Sequence, residues 1–424
     1  MTRPLRLTLS LVLVGILLCV AGGCGGQKTE AVKLTEFRDT VVAGSATDFL
    51  EVRHVLMRGS NYGIGHAIGQ MAKKLGVTMV PSEDTLRNMV QRRYTEANYP
   101  IMYERMRGVA DSYGLGLNDS RYDFSAVSQF PVRVTGCSVV YYPASSSENG
   151  HDMLSRNYDF SLGTFQGTYP EKGQPPAMSR PYVFELYPDK GYPSLAICAF
   201  DLMGGVLDGV NSEGLTVAVL VEGEAVRTVG IAPTLGVGVH ELESLRYLLD
   251  NCKDVEEAKH AMLSLKHFYT AIPCHYIIGD KNGKSFVFEF SPQRNGVAIV
   301  DGSGPQCVTN HLVSNYKSVD EFPKTGNTNS YDRYRTLYEA TKGGGKFSVE
   351  QMKAINASVA FLGKAPESAD YPPTRTIWHA LYDLDEGSVS VKFYLRDGVD
   401  PLDKTNKVAQ YTDYMTFKLS PGEK

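Results

Sequence analysis

The chain has 424 residues, of which 42% are hydrophobic and 21% charged, and its net charge is −4. That composition excludes a disordered polypeptide and provides enough chain for a sizeable core, or for two to three domains. Acidic and basic residues are interspersed with no long run of either sign, which excludes a nucleic-acid surface.

The first residues, MTRPLRLTLSLVLVGILLCVAGGCGGQKTE, place Arg3 and Arg6 before an apolar run from Leu7 to Val20. The run is too short to span a bilayer and ends in Ala-Gly-Gly-Cys, so residues 1–23 read as a secretory signal. Small residues before a cysteine resemble a bacterial lipoprotein box in which Cys24 becomes the lipid-modified first residue, although Ala21 stands where Leu is commoner. The expectation is an exported cell-envelope lipoprotein held to a membrane through Cys24; plain secretion and a retained membrane anchor are the alternatives. Residues 24–44 are expected to form the tether.

From Ser45 the stretch EVRHVLMRGSNYGIGHAIGQMAKKLG begins like a strand, turns at glycine, then sets Ile64, Ile68, Met71 and Leu75 at helical spacing. One helix is predicted from Asp84 to Tyr113, stopped by Tyr-Gly-Leu-Gly. Residues 45–136 thus read as mainly helical. After Pro131 the pattern changes to short alternating runs: CSVVYYPA, HDMLSRNYDF, PYVFELYP, SLAICAFDLM and LTVAVLVEG. Asn149-Gly150 and Asn282-Gly283 are hairpin turns, and the first folds Cys137 back towards Arg156 to Asp159.

Between the strands, Leu242, Leu245, Leu248 and Leu249 make one apolar face, and Asp254 with Glu257 reads as the capping pair of a second helix. Strands are expected at Gly296 to Asp301, Thr376 to Leu384 and Ser388 to Leu395, and a helix at Tyr331 to Thr341. Strands, a helical pair, then more strands predict an α+β layering of antiparallel sheets with helices outside.

Seven cysteines are present; Cys19 leaves with the signal and Cys24 carries lipid. Cys137, Cys198, Cys252, Cys274 and Cys307 remain, an odd number, which leaves one free thiol if the other four pair in any of three ways. Alternatively all are small buried hydrophobes, the preferred reading for Cys198. The spacing contains no CxxC pair, so no zinc cluster is expected.

The Gly136-Cys137 pair at a strand start has a chemical use. Cutting that bond puts a new α-amine, reference pKa about 7.7 to 8.0, on the same residue as a thiol of about 8.5. One residue then supplies nucleophile and base. Asp159 can hold the ammonium form, and Arg156 can stabilise a thiolate or orient a substrate carboxylate. Glycine at 136 is expected to permit the strained backbone that attack on its own carbonyl needs. Taken singly, Gly-Cys fits a buried cysteine at a strand start, and Arg156 with Asp159 fits a surface salt bridge. A Cys-His protease using His311, His275 or His240 is a second reading, but nothing in the sequence pairs a particular histidine with Cys137.

The ordered set GCS, SRNYDF, DGVNSEGLTVAV, CVTNH and NSYDRYR resembles the N-terminal-nucleophile hydrolases of the penicillin acyltransferase and choloylglycine hydrolase superfamily, which act on linear amides. RYLLDNCKDVEEAK, HYIIGDKNGKSFVFEF and RTIWHALYDLD fit the same framework, and the long leader is similar to the pro-segment of the acyltransferase branch. The resemblance implies a four-layer αββα sandwich over residues 137–424, preceded by a pro-segment, 45–136, that stays bound as a subunit after cleavage. It implies Cys137 as nucleophile, Gly136 as the residue before an autocatalytic cut, and Arg156 and Asp159 flanking the new amino terminus. Asn211 and Asn310 would supply oxyanion or substrate hydrogen bonds, and Arg333, with Arg335 close by, would lower the thiol pKa. Without the set, Asn211 reads as a turn residue and Asn310 as a strand-end cap. No metal or organic cofactor is implied. The expected partner is a small amide, hydrolysed by water or transferred to an amine; loops such as Gly163 to Arg180 select it. A binding lipoprotein that never matures is the alternative from another class.

Overall fold

The computed structural model describes residues 34–420 apart from 46, 127–135, 165–167, 173–175, 200–201, 225–235, 270–272, 292–295, 325–328, 364–369 and 405. The expected signal, Cys24, the start of the tether and parts of the 163–180 loop lie outside the described residues. Among those described, no helix is long and apolar enough to cross a membrane.

The expected tether is corrected at its C-terminal end. Residues Leu34–Gly44 form strand β1, paired antiparallel with β2 (Glu51–Gly59) from Leu34 opposite Gly59 to Gly44 opposite Glu51. The segment LTEFRDTVVAG is rich in Thr, Val and Phe, residues that suit a pleated, half-covered edge. β2 in turn lies parallel to β5 (Tyr182–Pro188), Arg53 opposite Tyr182 through Gly59 opposite Pro188. The N-terminal segment therefore contributes strands to the main sheet as well as helices.

Those helices are α1 (Asn61–Lys74), α2 (Thr85–Asn98) and α3 (Pro100–Ser112). The single helix predicted over 84–113 is two, because Pro100 has no N–H to donate and its ring clashes with the preceding turn; it instead opens α3. α1 and α3 cross where only glycine fits: a Cβ on Gly65 would lie 2.0 Å from the Arg105 carbonyl oxygen, and one on Gly108 2.1 Å from that of Tyr62.

The remaining strands are β3 (Cys137–Tyr142), β4 (Met153–Ser161), β6 (Ser194–Cys198), β7 (Val206–Asn211), β8 (Thr216–Val221), β9 (Cys274–Gly279), β10 (Ser285–Ser291), β11 (Gly296–Asp301), β12 (Gln306–Val308), β13 (Thr374–Asp383), β14 (Ser388–Val399), β15 (Lys407–Tyr411) and β16 (Met415–Lys418). One nine-stranded sheet runs β1-β2-β5-β6-β7-β8-β9-β10-β11; a seven-stranded one runs β12-β3-β4-β13-β14-β15, with β16 on β14. Helices α4 (Glu243–Asn251) and α5 (Val255–Ser264) cover the first sheet over β7 to β10. Helices α6 (Asn329–Thr341) and α7 (Val349–Ala357) cover the second over β12, β3 and β4. The uncovered faces meet, β3 against β8, giving the expected four-layer αββα sandwich. Both predicted hairpin glycines adopt positive φ, Gly150 at 74° and Gly283 at 78°.

A buried ionic cluster ties the N-terminal helices to this sandwich. Arg105 of α3 donates to both carboxylate oxygens of Asp250 on α4, at 2.6 and 3.1 Å, with both side chains 1% exposed. Tyr99 Oη donates to the same carboxylate at 2.6 Å, and Arg246 lies 3.0 Å from it. Replacing Asp250 with Ala leaves two buried guanidinium groups uncompensated. Asp250→Ala is expected to lower the unfolding free energy by about 3–5 kcal/mol, read from urea unfolding; an unchanged midpoint contradicts this account of the junction.

Candidate active site

Cys137 is the first residue of β3 and sits opposite Tyr158 of β4. Alternation along the strand sends Cys137, Val139 and Tyr141 towards the nine-stranded sheet, where they join its core, and sends Val140 and Tyr142 towards α6 and α7. The thiol is 3% exposed. Arg156, paired with Val139 and so on the same face, places Nη2 3.7 Å from Cys137 Sγ.

A fully buried guanidinium needs compensation, and the opposite sheet provides it. Arg156 forms an ion pair with Asp208 of β7 and donates to the carbonyls of Leu207 at 2.5 Å and Val219 at 2.6 Å. Asp208 also accepts from Tyr382 Oη and, at 3.3 Å, from Trp378 Nε1. Burial opposes the charge on Arg156, but Asp208 and Cys137 outweigh it and its pKa is raised. Burial pushes the Cys137 thiol up, and Arg156 opposes that rise. The Nη groups of Arg156 are thus engaged by Asp208, two carbonyls and the thiol.

The other side of Cys137 holds the backbone. Its N–H donates to Asn310 Oδ1 at 2.8 Å, and Arg333 Nη2 donates to the same oxygen at 2.8 Å. Arg333 Nη1 donates to the Cys137 carbonyl at 2.6 Å and lies 3.8 Å from Asp159 Oδ2. The Gly136 carbonyl accepts from the Asp159 N–H at 3.0 Å. Asp159 Oδ1 accepts from Thr376 Oγ1 at 2.6 Å, whereas Oδ2, equally buried, has no hydrogen-bond donor. Burial raises the Asp159 carboxyl to about 6 against the lowering pull of Arg333, Thr376 and Arg156. Burial in turn lowers Arg333, against the raising effects of Asp159 and Cys137.

Six expected residues therefore converge: Gly136, Cys137, Arg156, Asp159, Asn310 and Arg333. Arg335 points elsewhere, to Asp332 at 2.9 Å. Asn310 faces Cys137 with its oxygen, while its Nδ2 donates to the Val221 carbonyl at 2.7 Å. Asn211 does not join them. Its Nδ2 donates to the carbonyls of Cys252 at 2.7 Å and Leu249 at 3.2 Å, and its Oδ1 accepts from the N–H groups of Glu213 and Leu215. It ends β7, four residues beyond the Leu207 carbonyl that Arg156 reaches, roughly 13 Å along the strand. It is the turn residue that ties β7–β8 to the end of α4.

None of the three histidines pairs with the thiol. His275 lies between Glu289 and the Thr309 carbonyl, His311 bonds Ser330, and His240 accepts from the N–H groups opening α4. Burial lowers His311 to about 3, which leaves it neutral. All five expected cysteines are buried and none is in a disulfide, so for Cys198, Cys252, Cys274 and Cys307 the disulfide expectation gives way to the buried-hydrophobe reading. Among the described residues one group of metal-ligand type, His151, Asp383 and Asp385, brings its ligand atoms within 4.8 Å of one another. It sits where the β3–β4 and β13–β14 turns meet, away from the thiol, and is internally bonded, His151 to Asp383 at 2.8 Å.

Asp208, Tyr382, Trp378 and Thr376 were not expected at the site. The fragments DGVNSEG and RTIWHALYDLD had been noted, but only sheet pairing shows that one carboxylate neutralises the arginine beside the thiol. Asp208→Ala is expected to cost about 3–5 kcal/mol of stability by stranding Arg156. Asn211→Ala should cost about 1–3 kcal/mol through its lost turn bonds. Chemical denaturation of both variants checks the ranking, and an Asn211→Ala variant as stable as wild type contradicts the structural role given to that side chain.

The acyl-coenzyme A:6-aminopenicillanic acid acyl-transferase family is matched over residues 146–395, which includes Arg156, Asp159, Asn310 and Arg333 and stops short of Cys137. No curated protein matches the chain. Among solved structures, a mutant conjugated bile acid hydrolase from Clostridium perfringens is similar at 15% identity and TM-score 0.44, over 68% of this chain and 97% of that one. Penicillin V acylase from Agrobacterium tumefaciens is similar at 17% identity and TM-score 0.40, over 61% and 83%. A Caenorhabditis elegans ortholog of N-acylethanolamine-hydrolyzing acid amidase is similar at 16% identity and TM-score 0.35, over 58% and 93%.

Proposed function

Because the chain belongs to the acyl-coenzyme A:6-aminopenicillanic acid acyl-transferase family, matched over more than half its length, we propose that it is a self-processing cysteine amidohydrolase. It is cut before Cys137 and cleaves a linear amide through a thioester on that residue. The observation that carries this reading is the convergence at one strand end: a thiol beside Arg156, an attackable carbonyl held by the Asp159 N–H, and a carboxylate oxygen of Asp159 left without a donor.

In processing, Cys137 Sγ attacks the Gly136 carbonyl carbon. The S–C bond forms, the C–N bond breaks, and the thiol proton ends on the departing nitrogen. Water then adds to the thioester carbonyl, the C–S bond breaks, and Gly136 leaves as a carboxylate while the thiol is regenerated. The developing oxyanion is stabilised by the Asp159 N–H, the type of donor worth about 3 kcal/mol in the transition state. Turnover repeats this chemistry on a substrate amide. The free amine of Cys137 takes the thiol proton, the thiolate attacks, and the amine returns the proton to the leaving nitrogen. Asp159 Oδ2 faces the ammonium and Arg156 the thiolate. Thiol, amine and water supply every proton and electron pair, so the steps require no cofactor.

An amine accepting the acyl group in place of water is the acyltransferase alternative; added amines that are acylated faster than water attacks would favour it. The pro-segment remains attached after the cut through the β2–β5 pairing and the Arg105–Asp250 cluster. Export and anchoring through a lipid on Cys24 complete the proposal, with Cys24→Ser expected to release the protein from membranes.

N-terminal sequencing of purified protein should find a fragment beginning at Cys137. Cys137→Ala should stay intact and Cys137→Ser should process slowly or not at all; an alanine variant that processes normally contradicts self-cleavage, and an intact wild type favours a binding lipoprotein. Asp159 is protonated below about 6, and its ionised form is the one that favours transfer of the thiol proton to the departing Cys137 nitrogen. Processing should therefore be lost as pH falls through about 6, and Asp159→Asn should abolish that inflection. A pH–rate profile with no change near that value contradicts the role.

A further inference from the structure

We propose that Phe361 is a specificity-determining residue that favours an unsubstituted carbon beside the carbonyl attacked by Cys137. The inference rests on the self-cleavage reading above. Gly136 is not among the glycines with positive φ, so backbone strain does not explain it, contrary to the sequence-based expectation. Space does. A Cβ on Gly136 would lie 3.1 Å from Asp159 Oδ2, 3.2 Å from Phe361 Cε2 and 3.3 Å from Arg333 Nη2. Asp159 and Arg333 are fixed by their roles at the cut, which leaves Phe361 as the wall whose identity is open to choice.

Phe361 is held firmly. Its N–H donates to Thr376 Oγ1 at 2.9 Å and its carbonyl accepts from the Thr376 N–H at 3.1 Å, on the residue whose hydroxyl binds Asp159. The carbonyl of Leu362 accepts from the Ala409 N–H at 3.0 Å. Upstream, Asn157 Nδ2 donates to the Asn356 carbonyl at 2.7 Å, securing the end of α7 to β4. The Arg333 guanidinium lies 5.6 Å from the centre of the Phe361 ring, against its face. The hydrogen bonds use main-chain atoms or neighbouring side chains and survive removal of the ring, which gives up only the Arg333 contact.

The consequence extends to substrate. After sulfur takes the Gly136 acyl group, the thioester contains Sγ, a carbonyl and the Gly136 Cα. An acyl-enzyme formed from any amide contains the same three atoms in the same order. The wall that meets the Gly136 α-carbon therefore meets the α-carbon of the substrate acyl group, and favours a methylene there over a branched centre.

Gly136→Ala should slow processing about tenfold or more, the effect of forcing a methyl into filled space. Combining it with Phe361→Ala, or with Phe361→Leu if the alanine variant folds poorly, should restore most of the rate. In mature protein, acylation of Cys137 by p-nitrophenyl hexanoate over p-nitrophenyl 2-methylhexanoate, read by mass, should exceed the same ratio for free cysteine about tenfold and fall towards it in Phe361→Ala. Gly136→Ala processing at the wild-type rate, or a slow Gly136→Ala relieved by neither Phe361 variant, overturns the inference while self-cleavage stands. An unprocessed wild-type chain overturns self-cleavage and this inference together.

Discussion

A guanidinium with no access to water organises this molecule. Arg156 projects from one sheet into the other, reaches Asp208, Leu207 and Val219 there, and keeps one Nη beside the sulfur of Cys137. A charge so placed persists only if it is paired, because desolvation costs several kcal/mol per ion. That requirement fixes Asp208 on β7, which in turn recruits Tyr382 and Trp378 from β13. The facing of the two sheets and the position of the thiol are thus set by one electrostatic constraint. The same charge opposes the burial-driven rise of the Cys137 thiol, while the Asp159 carboxylate adds to that rise.

The uncut chain holds its chemistry in check. Burial keeps the Cys137 thiol protonated and the Asp159 carboxyl easily protonated, and the nitrogen of Cys137 is an amide whose N–H is committed to Asn310. Among the described residues none of the three candidate histidines bonds the sulfur. The proposed cleavage would change only one bond but would convert a non-basic amide into an amine, beside a residue, Asp159, whose Oδ2 has no hydrogen-bond donor. On the proposed reading, the amine is the one group that the cut would add.

Much of this was legible in the sequence. The Asn149-Gly150 turn alone brings β4 back along β3 and fixes Arg156 and Asp159 near Cys137, because hairpin register follows from turn and alternation. Ordered motifs then located Asn310 and Arg333 on distant elements. What failed did so for physical reasons. Asn211 lies in a motif but at the wrong end of its strand, which no local pattern reveals. Residues 24–44 read as tether because the segment after Cys24 is polar and glycine-containing, and nothing local shows that Leu34–Gly44 pairs with β2 at the edge of a sheet. Pro100 lies within a helical period that continues on both sides of it, so periodicity alone does not show the break between α2 and α3. Asp208 and Phe361 depend on contacts between segments far apart in the chain, and their neighbours in sequence carry no sign of them.

The central claim is that residue 137 carries both a free thiol and a free α-amine in the working protein. An aldehyde that condenses only with such a 1,2-aminothiol tests it directly, with the adduct located by peptide mass and amide hydrolysis followed in parallel. The account predicts a thiazolidine at Cys137 and loss of activity in proportion to its formation. Full amide-cleaving activity in protein that forms no adduct, with Gly136 still joined to Cys137, would contradict it.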